Sequence, residues 1–113
     1  AAERMIVLYD DLDLPLGSLK LSFNRGSGGH RGVESIMKAV KTKKFTRVRI
    51  GVSPATSAGI VKKPSGEKEV VSFILTKFRS AELAELKPVL KRVAEALQMI
   101  VTDGPERAMN QFN

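Results

Sequence analysis

Two kinds of apolar spacing divide the chain. Near its start Ile6, Val7 and Leu8 run without interruption, the pattern of a strand covered on both faces as in a parallel sheet, and we place that strand over Met5 to Tyr9. A turn at Pro15 and Gly17 leads into Ser18 to Phe23, where Leu19, Leu21 and Phe23 alternate with Ser18, Lys20 and Ser22, the period-two signature of a half-exposed strand. Val33, Ile36, Met37 and Val40 then fall at i, i+3, i+4 and i+7, one apolar face of a helix. Val48, Ile50 and Val52 alternate with Arg47, Arg49 and Gly51 and predict a further strand. Residues 53 to 69, rich in Ser, Pro, Gly and Lys and without periodicity, predict a long loop, and Val70 to Leu75 predicts a short strand or extended segment.

The second half is helical. Ser80 is the expected N-cap, with Glu82 in the first turn, and Leu83, Leu86, Val89, Leu90, Val93, Leu97, Ile100 and Val101 keep helical spacing. Pro88 sits inside that pattern and is expected to kink or restart the helix. Asp103-Gly104-Pro105 stops it, and Glu106 to Gln111 predicts a last short helix. No internal repeat or second domain is visible, so residues 1–113 read as one domain, or part of one, of the α/β class.

Composition narrows the chemistry. With no cysteine and one histidine the 113 residues hold neither a disulfide framework nor a thiolate or histidine-rich metal site. No apolar run approaches the roughly 20 residues that span a bilayer. A formal charge of +7 and a pI near 10 favour an acidic partner, nucleic acid first and an anionic membrane surface second. Ala1-Ala2-Glu3-Arg4 carries no signal-peptide pattern, and a strand begins almost at once. We read this as a chain whose natural beginning is missing and whose targeting is therefore unreadable.

Three features carry candidate chemistry. Asp10, Asp11 and Asp13 follow an apolar strand, where open α/β sheets place their ligands; they read either as a solvated turn that ends the strand or as ligands for a hard cation. Gly26 to Gly29 forms a glycine-rich loop ending in His30. Its glycines permit positive φ and close backbone approach, and the loop leads into a helix whose N–H groups can face an anion. Finally, Lys38, Lys41, Lys43, Lys44, Arg47 and Arg49 form a cationic run without an acid, suited to phosphate contact.

The ordered set Tyr9-Asp10-Asp11-Leu12-Asp13-Leu14-Pro15, Gly17, Gly28-Gly29-His30-x-Gly32 and Arg47-x-Arg49-Ile50-Gly51 resembles the bacterial-type peptidyl-tRNA hydrolases. So do Phe73-x-Leu75-x-Lys77-Phe78 before the long helix, and Thr102-Asp103-Gly104 and Ala108-Met109-Asn110 after it. The likeness runs over almost the whole chain but over only about the last three-fifths of such an enzyme. It implies a three-layer α/β sandwich with a mixed, mostly parallel sheet between helices, of which this chain is an incomplete copy. It also implies hydrolysis of the ester joining a peptide to the 3′ end of tRNA, with no metal and no cofactor. In the family a histidine acts as general base on water and a carboxylate orients it. Asp10 matches that carboxylate.

The histidine itself belongs to an amino-terminal part that these residues do not contain. His30 matches a structural histidine of the glycine loop, so its expected role is positional, with Gly28, Gly29, His30 and Arg31 lining the substrate cleft. Arg49 matches a phosphate-contacting arginine, and Lys20 lies on the strand of the family's phosphate-clamping lysines. The best-fitting clamp lysine aligns with Ser22, a departure that weakens one electrostatic contact. A second departure is Arg31, where the family usually has an asparagine: arginine offers donors and charge but no acceptor, so it cannot copy both functions of an amide, though it can grip a phosphate. The expected partners are peptidyl-tRNA or its acceptor stem, with the ribosome as a further candidate, no membrane, and a polypeptide that covers the first strand. The expected compartment is cytoplasmic or mitochondrial. A different reading of the same residues is a non-catalytic tRNA- or ribosome-binding module that kept the fold.

Overall fold

A computed structural model describes all residues 1–113. After a short 3-10 turn at Ala2–Arg4 the order is β1 (Ile6–Pro15), β2 (Leu19–Phe23), α1 (Arg31–Val40), β3 (Thr46–Ser53), α2 (Glu67–Ile74), α3 (Ser80–Asp103) and α4 (Pro105–Phe112). The sheet is mixed, in the order β1-β3-β2, with β1 parallel and β2 antiparallel to β3. The mixed sheet between helices is the one expected, here with one pairing of each kind. No helix is long and apolar enough to cross a membrane.

β3 is central because its apolar positions meet both neighbours. Val48 faces Leu8 on one side and Leu21 on the other. Leu19, Leu21 and Val48 form the core with Val89, Val93, Ala96 and Ile100 of α3 and Ala108 of α4. Each large aliphatic side chain in that cluster contributes about 1.5–3 kcal/mol of burial. Arg47, Arg49 and Gly51 alternate with Val48 and Ile50, so they point to the opposite face, where the glycine loop and the α1–β3 connection lie.

β1 and β2 flank β3 although only three residues separate them, so the turn between them passes over β3. The Ser18 N–H donates to the Pro15 carbonyl at 3.1 Å, the Ser18 hydroxyl donates to the same oxygen at 2.6 Å, and the Gly51 N–H donates to the Ser18 carbonyl at 3.0 Å. A Cβ at Gly51 would overlap the Pro15 carbonyl oxygen and lie 2.7 Å from Ser18 Oγ. Gly51→Ala therefore has to move backbone, and we expect a loss of at least about 2–3 kcal/mol in urea unfolding. An unchanged midpoint would show that the turn does not rest on Gly51.

Several elements differ from expectation. β1 does not stop at the carboxylates but runs through them to Pro15, with an irregularity between Asp11 and Pro15. Val70 to Leu75 is not extended: α2 covers Glu67–Ile74, preceded by Gly66 and with Glu67 and Glu69 in its first turn. Its burial is slight, with no residue fully buried. The N-cap of α3 is Arg79, one residue before Ser80, and the Arg79 N–H donates to Glu82 Oε1 at 2.7 Å. That hydrogen bond holds the Glu82 carboxyl below its ordinary range. α3 continues unbroken through Pro88. Pro88 and Ala84 are both exposed, so water can take the carbonyl that the missing N–H leaves free. At the other end, the Asn113 side chain accepts from the Leu21 N–H at 2.8 Å and donates to the Leu21 carbonyl at 2.9 Å, closing the outer edge of β2.

Candidate functional site

An open cleft of about 610 Å³ lies at the end of β1. One wall carries Asp10, Asp11 and Asp13, the floor is the glycine loop with His30, and the facing wall is Lys63 and the apolar side of α2 around Phe73.

The three carboxylates do not converge. Successive β residues point to opposite faces, and each acid takes its own partner. Asp10 Oδ1 lies 3.0 Å from His30 Nε2. Asp11 Oδ2 accepts from Arg49 Nε at 2.7 Å, and its other oxygen accepts from the Asp13 N–H at 2.8 Å. Asp13 Oδ1 accepts from Lys63 Nζ at 2.7 Å. No group of three acidic or imidazole ligands is gathered that could hold a metal ion, so the hard-cation reading of this cluster does not fit. The solvated-turn reading does not fit either, since the acids are part of β1 and are paired.

His30 is the N-cap of α1, and its Nδ1 accepts from the Val33 N–H at 3.2 Å. With Nδ1 an acceptor, the neutral ring carries its proton on Nε2 and donates it to Asp10. Both nitrogens are thereby engaged, and neither is free to take a proton from water. Tyr9 packs edge-on against the ring at a centroid distance of 5.0 Å. Gly28 and Gly29 adopt φ of +62° and +84°, the left-handed region that lets the loop bring His30 up to Asp10. Asp10 Oδ2 makes no hydrogen bond within the chain, and the side chain is 46% exposed to the cleft.

The remaining candidates separate. Arg31 lines the cleft, and its guanidinium pairs with Glu67 at the start of α2; that carboxylate raises its pKa further above the usual range. Lys63 is likewise held charged by its hydrogen bond to Asp13. Lys20 is exposed on the face that carries Arg49, its partner across the ladder, but is not part of the cleft wall. Arg49 corrects the picture of a guanidinium offered to phosphate: it is 4% exposed, bound to Asp11, and its Nη1 donates to Ser22 Oγ at 3.2 Å. Arg47 is fully buried as well, so the cationic run splits into exposed lysines and two internal arginines.

Sequence reasoning missed Lys63, which lines the cleft, and Glu67, which pairs with Arg31, both from a segment whose composition reads as a plain loop. It also missed the internal ties of Arg47 and Arg49. The strand alternation that put both on the face opposite Val48 was visible, but not what they meet there.

The profile of the peptidyl-tRNA hydrolase family matches residues 1–113. The peptidyl-tRNA hydrolase of Aquifex aeolicus is 40% identical over 111 residues, 98% of this chain and 53% of that protein. That of Mycobacterium tuberculosis is 37% identical over 113 residues, 100% of this chain and 54% of its own length. A crystal structure of peptidyl-tRNA hydrolase from Acinetobacter baumannii superposes with a TM-score of 0.82 at 26% identity, covering 100% of this chain and 53% of that one. The chain thus spans about half the length of the relatives it matches, rather than three-fifths. It belongs to the peptidyl-tRNA hydrolase family.

Proposed function

We propose that these residues form the ester- and tRNA-facing portion of a peptidyl-tRNA hydrolase. The observation that carries this reading is Asp10: one oxygen is held by His30 and the other is open to the cleft. A carboxylate so placed can accept from a second imidazole, fix its tautomer and stabilise its protonated form as it takes a proton from water. That imidazole comes from outside these 113 residues, because the one histidine present has both nitrogens engaged. Gly28, Gly29 and Arg31 line the path of the 3′ end, and the apolar wall around Phe73 receives the peptide. A polypeptide packed along the outer edge of β1, where Leu8 is 43% exposed, would cover the strand and supply the base.

Lys20, Lys43 and Lys44 are exposed and unpaired, and in this reading they meet acceptor-stem phosphates. Arg49 contributes by holding Asp11 rather than by touching RNA. The binding of peptidyl-tRNA by the 113-residue chain, followed against salt, tests this. Each lysine that neutralises a phosphate adds about 0.7–0.9 to the slope of log K on log salt, so Lys43→Ala with Lys44→Ala is expected to lower it by about 1.4–1.8. An unchanged slope would remove this surface from the interface. The 113 residues alone are expected to bind without cleaving. Binding without cleavage by the protein as the cell makes it would instead favour the binding-module reading.

A further inference from the structure

The glycine loop has no hydrophobic anchor. Asn24, Arg25, Gly26, Gly28 and Gly29 are exposed, and Ser27 is only half-buried. Its own hydrogen bonds are local: the Gly29 N–H donates to Ser27 Oγ at 3.1 Å, the His30 N–H to the Ser27 carbonyl at 3.1 Å, and Ser27 Oγ to Glu34 at 3.0 Å. Such a loop, with two glycines at positive φ, would range widely if nothing tied it to the sheet.

His30 ties its far end to Asp10 on β1, and one buried side chain ties its beginning to β3. Arg47, on β3, is 0% exposed and forms no salt bridge. Its Nη2 donates to the Arg25 carbonyl at 2.5 Å and to the Lys43 carbonyl at 3.0 Å, and its Nη1 donates to the Gly26 carbonyl at 3.4 Å. The guanidinium lies 4.1 Å from the centre of the Phe45 ring, and Nε is buried without a partner. A buried cation without a counter-ion is costly, and an apolar residue would fill the same space more cheaply. What an apolar residue could not do is satisfy carbonyls from two separate connections with one rigid, planar fork. These are the hydrogen bonds that join the Arg25 to Gly29 loop to the sheet.

We propose that Arg47 is a positioning residue of the site: from inside the fold it fixes the glycine loop against β3, and so holds His30 at Asp10 and the backbone N–H groups of the loop at the cleft. This inference depends on the hydrolase reading only for its effect on turnover. The placement of the loop can be measured whether or not any ester is cleaved.

The test is native-state amide exchange and ring-nitrogen NMR on the labelled 113-residue chain, for wild type, Arg47→Met and Arg47→Lys. In Arg47→Met the Gly29 and Val33 amides are expected to exchange about tenfold faster or more relative to core amides such as Val48 and Ile100. The His30 ring should lose its single Nε2–H tautomer. Arg47→Lys, with a point charge in place of the fork, should fall between. Acceleration equal in loop and core, or an unchanged His30 tautomer, would overturn the proposal. If neither variant folds, wild type decides. Val33 and the Arg47 guanidinium protons exchanging through one common opening supports the anchor, whereas Val33 exchanging while those protons stay protected refutes it.

Discussion

Asp10→Asn is expected to lower the turnover of peptidyl-tRNA by about a hundred- to ten-thousandfold, the range over which removing the carboxylate behind a catalytic imidazole acts. Most of the loss should fall in kcat, because Asp10 orients a base and has no binding charge to offer an anionic substrate. The substitution is informative for a structural reason. An asparagine oxygen can still accept from His30 Nε2, the contact that Asp10 makes at 3.0 Å, so the glycine loop should stay in place. What disappears is the negative charge and the acceptor that faces the cleft. Circular dichroism and the salt slope of tRNA binding should therefore match wild type while cleavage fails. A variant that cleaves within a few-fold of wild type would show that Asp10 serves the loop alone.

The largest effect on stability is expected one residue later. Asp11 and Arg49 form an ion pair in which the side chains are 10% and 4% exposed. Asp11→Ala strands a buried guanidinium with only Ser22 Oγ as partner and should cost about 3–5 kcal/mol, a large share of the total for a domain of this size. Replacing both partners, Asp11→Leu with Arg49→Met, removes the charge together with its counter-ion and should recover most of that loss, since well-packed apolar pairs are often as stable as the ion pairs they replace. A double-mutant cycle in urea reads the coupling directly. Additive single losses would mean that the pair is not coupled and that Arg49 has freedom to turn toward RNA.

The contrast between these neighbours explains how much of the site could be read from sequence. The strand before Asp10, the alternation of Leu19 and Leu21, and the long α3 stripe were legible because burial imposes its period on the chain. The glycine loop and its histidine were legible as a place. The partners were not: Asp10, Asp11 and Asp13 find theirs 20, 38 and 50 residues away, and no local pattern encodes such a pairing. That is also why clustered aspartates looked like the end of a strand. Their mutual repulsion is relieved by three separate partners, an imidazole N–H and two cations, so β1 can run on through them to Pro15.

Helix α2 failed for the opposite reason. Val70, Val71, Phe73 and Ile74 are residues of high β propensity, but that preference expresses packing in a half-buried sheet. Here no strand edge receives the segment, and it turns into a helix that lays Phe73 against the cleft instead. Arg49 shows the same limit at a single residue. Its place in the strand was right and its environment was not, because the sequence shows a cation beside other cations, while the fold seals it against Asp11.

The central claim is that the open oxygen of Asp10 belongs to an ester-hydrolysing site. The most direct test is release of free tRNA from an N-acylated aminoacyl-tRNA by the protein as the cell makes it, compared with the isolated 113 residues. The account predicts cleavage by the former and binding without cleavage by the latter. A natural protein that binds the substrate and leaves the ester intact, or an isolated chain that cleaves it with His30 as its only imidazole, would contradict it.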